Sequence, residues 1–216
     1  MDIYHYVVQH DKGFAPNPFF KTCTLACCKP RIRQKAKVGD IIIGFASDSQ
    51  EVGLGGHVIY WMKVDEIINF DHYWADTRFV RKRPVMGSSL MSCYGDNIYH
   101  SNQETGEWVQ DYSFHSDGEG LGRGNLDRDI GRTDRVLISK DYTYWGANAP
   151  EFPNTLKGLI PRGRAERWLF SNEEKAQILE WLGTIKERGF QGEPADWQRD
   201  HPQDENGLIS SLKQVR

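Results

Sequence analysis

Side chains able to do chemistry gather in two stretches of this 216-residue chain. The first, Asp11 to Gly44, holds three of the four cysteines, Cys23, Cys27 and Cys28, with Lys29 directly after the last. A thiol beside an ammonium can be activated by a lowered pKa and act as a nucleophile. The crowding also raises a metal question, and His10, His57, His100 or His115 could add ligands. A structural zinc site asks for four ligands in paired spacing, whereas C-x₃-C-C with a distant Cys93 lacks the second pair. The plain alternative is a set of small buried thiols. No metal and no cofactor is assigned.

Asn17 stands between Pro16 and Pro18, in a loop that two fixed φ angles make stiff. Its amide could read a base edge through one donor and one acceptor, or could bond its own backbone in a turn. Phe14, Phe19, Tyr144 and Trp145 could stack on a base, or could simply fill the core. Lys29 is a candidate point charge or base, and Arg31, Arg33 and Lys35 are candidate phosphate contacts. The second stretch comprises Tyr94–Asn102 and Val136–Pro150. In or beside it lie Asp96, His115 and Asp117, which suit acid–base work. The catalytic candidates are therefore Lys29, His115 and Asp96. Each has a bland counterpart in a solvated surface or turn residue.

The elements that must position these groups follow from periodicity. Ile3–Gln9 is rich in β-branched and aromatic residues and predicts a strand. Pro30 fits the first turn of a short helix through Gln34 and Ala36. Ile41–Phe45 and His57–Val64 read as a hairpin joined by a glycine-rich tip. Phe70–Asp76 is expected to cap the sheet, and Glu107–Phe114 and Arg135–Ser139 are further strands. Asp117–Gly131 is polar and glycine-rich and reads as a loop. Its GEGLGRG run lacks the strand-to-helix context and the Gly-Lys-Ser/Thr of a phosphate loop. Ser171 with Glu174 makes a capping box, and Ile178, Leu179, Leu182 and Ile185 recur at helical spacing. The segment from residue 191 is polar.

Composition narrows the classes. No run of about 18 apolar residues occurs and no leader-like start is visible, so a cytoplasmic protein with reduced thiols is expected. A net charge of −3 argues against a bulk electrostatic coat for nucleic acid. Two local basic runs, Lys29–Lys37 and Arg78–Arg83, leave room for a basic face.

Long motifs then add a resemblance. D-x-G-F-A-P-N-P-F at Asp11–Phe19, C-T-L-A-x-C-K-P-x-I-R at Cys23–Arg33 and A-x-x-G-D at Ala36–Asp40 resemble the second type of nucleotide modification associated domain. Gly95–Tyr99, Val136–Ser139, Tyr142–Gly146 and Gly192–Trp197 are similar to that family too, so the likeness spans Tyr4 to Trp197. Members lie near DNA base-modification genes of phages and bacteria. A looser similarity, Arg33-x-x-Ala36-x-x-Gly39-Asp40 entering an apolar strand, points to PUA, EVE and ASCH pseudobarrels, which hold RNA or a modified base.

The expectation is an α+β domain over residues 1–190, with a PUA-like curved sheet or pseudobarrel, flanking helices and a C-terminal helix. A polar arm would follow over 191–216. The resemblance implies handling of nucleic acid or a nucleotide, with a modified base held among aromatic rings in a modification or phage-defence setting. A hydrolase or transferase acting on a modified nucleoside or nucleotide stands beside it. So does a non-catalytic subunit whose partner is a protein of a DNA-modification system.

Overall fold

The computed structural model describes residues 1–48, 53–116, 122–163 and 165–200. Strands are β1 (Ile3–Val8), β2 (Cys23–Leu25), β3 (Ile41–Ala46), β4 (Val58–Lys63), β5 (Glu66–Asn69), β6 (Tyr99–Ser101), β7 (Trp108–Gln110), β8 (Arg135–Ser139), β9 (Asp141–Tyr144), β10 (Glu166–Arg167) and β11 (Gly189–Phe190). Helices are α1 (Pro30–Lys35), α2 (Phe70–Ala75), α3 (Leu90–Cys93), α4 (Arg123–Ile130), α5 (Asn172–Thr184) and α6 (Trp197–Asp200). A six-stranded mixed sheet runs β10-β1-β3-β4-β9-β11, and a three-stranded sheet runs β2-β8-β5. β6 and β7 form a separate ribbon. The described strands close no barrel, so the α+β content of the PUA-like expectation is present without its closure.

Strand alternation explains the layers. In β1 and β3, Ile3, Ile41, Ile43 and Phe45 face one core, which α5 covers through Ile178 and Leu182. Tyr4, Tyr6, Val8 and Ile42 face the opposite core, shared with Cys23, Leu25 and Leu137 of the smaller sheet and Ile32 of α1. β8 alternates in turn, for Val136 and Ile138 enter a third cluster with Phe70, Tyr73, Phe79 and Tyr99. The small sheet is thus buried on both faces and carries β2, from which the cysteine segment leaves.

The capping box on α5 is complete: Glu174 N donates to Ser171 Oγ and Ser171 N to the Glu174 carboxylate. Two expectations change. The strand foreseen over Glu107–Phe114 is only β7, because β6 pairs with three residues and the chain then turns toward His115. Residues 123–130 of the foreseen loop are helix α4, held on the third core by Leu126 and Ile130. Asp117 and the glycines up to Gly120 lie outside the described residues.

The polar stretch from residue 191 is docked as far as Asp200. Ala195 N donates to Asp11, and buried Trp197 stacks on Phe19. Among the described residues no helix is long and apolar enough to cross a membrane.

Candidate active site

β2 delivers Ala26 and Cys27 into the third core, and the chain then reverses through Cys28 (φ 59°) and Lys29 (φ 43°) before Pro30 opens α1. Two successive left-handed non-glycine residues cost on the order of 1–3 kcal/mol each and persist only where surrounding contacts enforce them. Arg33 supplies much of that enforcement. Fully buried, its Nε donates to Cys28 O (2.9 Å), one terminal nitrogen to Arg135 O (2.9 Å) and the other to Asp129 O. One guanidinium therefore ties the cysteine turn to β8 and α4.

The tie brings Asp129 under Cys28. Asp129 Oδ1 accepts from Cys28 N (2.8 Å) and Arg128 Nε (3.0 Å). Its Oδ2 faces His115 Nδ1 (3.2 Å) and accepts from Tyr99 OH (3.1 Å). The other imidazole nitrogen, Nε2, lies 3.9 Å from Cys28 Sγ. A carboxylate against Nδ1 assigns the proton to that nitrogen, which leaves the Nε2 lone pair facing both the thiol and an Arg128 terminal nitrogen at 3.5 Å. Thiol, imidazole and carboxylate thus stand in the order of a nucleophile, its base and the group that orients the base.

Electrostatics refine this arrangement. Burial opposes the charge of Asp129, but hydrogen bonds from His115 and Arg128 prevail and hold it at about 2. Burial pushes the Cys28 thiol up to about 11, and the Asp129 charge adds to the rise. Cys28 therefore rests as a thiol, and lysine proximity does not make it a thiolate. Of the four cysteines it alone is partly exposed.

The other residues foreseen as functional have varied fates. Lys29 is half-buried with its ammonium 4.7 Å over the Tyr6 ring, and burial lowers its pKa. Asp96 is enclosed: Thr24 Oγ1 (2.6 Å) and Tyr73 OH (2.7 Å) donate to it, and burial raises its pKa. It shares no hydrogen bond with His115 among the described residues. Asn17 is buried with its amide fully engaged, Nδ2 donating to Gly13 O (3.1 Å) and Tyr94 O (2.9 Å). Its Oδ1 accepts from Lys82 Nζ (2.6 Å), a buried lysine that burial brings down to about 8.

Phe19, Tyr144 and Trp145 are core residues. Gly13, at φ +70°, lets the Phe19 ring pack where a Cβ would come within 2.5 Å. Phe14 is buried too, but its ring meets His115 edge-on at 4.4 Å. Arg31 and Lys35 are exposed, Lys35 with its ammonium 5.2 Å over the Trp168 ring, whereas Arg33 is the buried strut.

The structure thus unites Cys28 and His115, and it adds Asp129, Arg128 and Tyr99. Asp129 was hidden because its glycine-rich surroundings read as loop. The i, i+3 pair Leu126 and Asp129, with Ile130 beside them, was the available helical signal. Cys27 Sγ, His115 and Asp129 also offer ligand atoms within 4.8 Å of one another. Arg128 already sits on that carboxylate, and a cation beside a metal ion opposes its binding.

No curated protein and no solved structure matches the chain. The family model for nucleotide modification associated domain 2 matches residues 1–201. The Cys28 turn, His115, Asp129 and the enclosing sheets all fall within that span, and the chain belongs to the nucleotide modification associated domain 2 family.

Proposed function

We propose that this chain is a thiol-dependent hydrolase or transferase of a nucleotide-modification system, acting at a carbonyl or amidine carbon carried by a modified base or nucleotide. The carrying observation is the Cys28–His115–Asp129 alignment, with Sγ to Nε2 at 3.9 Å and Nδ1 to carboxylate at 3.2 Å. Family membership supports the nucleotide setting.

The chemistry follows from the resting state. Cys28 Sγ attacks the electrophilic carbon while its proton passes to His115 Nε2. Asp129 holds the ring through Nδ1–H and stabilises the imidazolium. The leaving amine or alcohol takes the proton back from Nε2, leaving on Cys28 a thioester from a carbonyl substrate or a thioimidate from an amidine. Water, or a second nucleophile in a transferase, gives up its proton to Nε2 and bonds to that carbon; the C–S bond breaks, and Nε2 returns the proton to Cys28 Sγ. Tyr99 and Arg128 keep Asp129 charged and fixed throughout.

The base rests on the aromatic wall beside His115. There Phe14 and Phe114 meet with centroids 6.1 Å apart, and Phe114 is 42% exposed. Arg31 and Lys35 on α1 supply the attraction for phosphate.

The test is intact-protein mass spectrometry with modified nucleosides and oligonucleotides as substrates. A covalent mass increment on wild type, found at Cys28 and absent from Cys28→Ala, is expected, with product release lost in His115→Asn. Full turnover by Cys28→Ala would sink the proposal.

A further inference from the structure

A cavity of about 360 Å³ opens where Pro18–Lys21, just after Asn17, meet Tyr142 and Phe190, and it shares no lining residue with the catalytic centre. Its size falls within the roughly 300–1,000 Å³ typical of small-ligand sites. Phe19, Phe20, Tyr142 and Phe190 give it aromatic walls, and Lys21 and Lys140 stand at its rim. Both lysines are exposed, and neither forms an ion pair among the described residues. Arg188 also lines it, but is paired with Asp141 at 2.9 Å.

The turn that displays Phe20 and Lys21 is strained, with φ of 60° and 67° at two successive non-glycine residues. Such backbone is retained where neighbours over-determine it and is enriched at ligand clamps. Tyr142 OH fixes the turn by donating to Pro18 O at 2.8 Å. The Arg81 guanidinium lies 4.2 Å over the Phe20 ring and adds a third cation nearby.

Buried rings connect this cavity to the centre. Phe19 stacks on Trp197 (5.7 Å), Trp197 on Tyr94 (6.1 Å), and Tyr94 meets Phe114 (5.3 Å), the residue next to His115. The two sites are therefore joined through the core by packed rings. Aromatic walls with a cationic rim match the flat faces and phosphates of nucleotides, and successive bases stacking on aromatic side chains is how single strands are held.

From this geometry we infer that the cavity is a subsite for a second nucleotide unit, so that the substrate is a single-stranded polynucleotide rather than a free nucleotide. The inference rests on the proposed reaction at Cys28 for the word substrate, while the binding itself stands apart from it. Phe20 stacks on the base. Lys21, Lys140 and Arg81 meet the flanking phosphates.

The test is fluorescence-anisotropy titration of a labelled single-stranded oligonucleotide over a salt series, with a mononucleotide as competitor. Wild type, Cys28→Ala, Phe20→Ala and the double variant Lys21→Ala/Lys140→Ala are compared, each checked by thermal melting. The three cations of the subsite should contribute about −2 to the slope of log K against log salt. Removal of both lysines should make the slope shallower by about 1.4. Loss of one stack in Phe20→Ala should weaken binding roughly ten-fold or more.

Cys28→Ala should bind as wild type does. Unchanged affinity in folded Phe20→Ala and in the lysine variant, or competition by mononucleotide at equal strength, overturns the subsite. Tight binding through Phe20 without any turnover leaves the subsite standing and removes the reaction at Cys28 instead. Turnover of free nucleotides indifferent to both pocket variants does the reverse.

Discussion

Replacing Asp129 by Asn should make Cys28 more reactive toward a simple alkylating agent and at the same time less competent in turnover. In the resting protein the thiol stands near 11. Against an unperturbed cysteine near 8.5, its thiolate population at pH 7 is lower by roughly 300-fold. A more basic thiolate is a better nucleophile, with a Brønsted slope of about 0.4–0.5, which returns roughly ten-fold. Iodoacetamide should therefore label Cys28 about 20- to 30-fold more slowly than a free thiol of equal access.

Asp129 Oδ1 lies 2.8 Å from the Cys28 amide nitrogen, so its charge acts on the thiol at close range. A charge pair at about 4 Å is worth about 1 kcal/mol in water and about 4 kcal/mol at an effective dielectric of 20. Removing the charge should lower the thiol by about one to two pH units. After the nucleophilicity correction, labelling at pH 7–8 should accelerate about three- to ten-fold. Turnover should fall, because an amide can leave His115 in the wrong tautomer; the same exchange in serine proteases costs roughly 10⁴ in kcat.

The assay is the pH profile of Cys28 carbamidomethylation by mass spectrometry, beside turnover and a thermal melt. A wild-type profile centred near 8 or below would show a thiol that burial does not raise and would refute the resting state. Slower labelling of a folded Asp129→Asn would refute the electrostatic argument.

Other outcomes follow from the same contacts. Arg33→Met strands the carbonyls of Cys28, Arg135 and Asp129 and should cost about 3–5 kcal/mol in denaturant melts. Arg33→Lys should not rescue it, since an ammonium has no planar fork. Lys82→Met takes the donor from Asn17 Oδ1 and Thr22 O, while Asn17 O keeps Thr24 N at 2.9 Å, and should lower stability by about 2–4 kcal/mol; a near-neutral result would refute the role of Lys82 in pinning the Asn17 loop.

His5 is buried, and burial holds it at about 4, below its unfolded value near 6.5. The unfolded chain then binds the extra proton between those values, so stability present above pH 6.5 is lost as pH falls toward 4, on the order of 3 kcal/mol. Asp11 opposes this, since burial raises it to about 6 and its contribution grows as pH falls from 6 toward 4. The difference between wild type and His5→Phe isolates the histidine, and equal slopes in urea melts across pH 4–6.5 would contradict its assignment.

Local pattern fixed a good part of the protein. β1, the β3–β4 hairpin, β8, α1 and the capped α5 follow from period-2 or helical spacing, proline placement and a capping box, all properties of neighbouring residues. The family was legible as well, because its long motifs span both informative stretches. Cys28, Lys29 and His115 were visible as reactive types.

The tertiary structure decided which of those groups meet. Asp129 lies 101 residues from Cys28 in sequence, and its partnership depends on Arg33 bridging α1, β8 and α4. Asn17, Asp96 and Arg33 look in sequence like groups offered to a ligand, yet burial makes each satisfy partners within the fold. No local spacing encodes that, because desolvation and long-range hydrogen bonding exist only once the sheets have stacked.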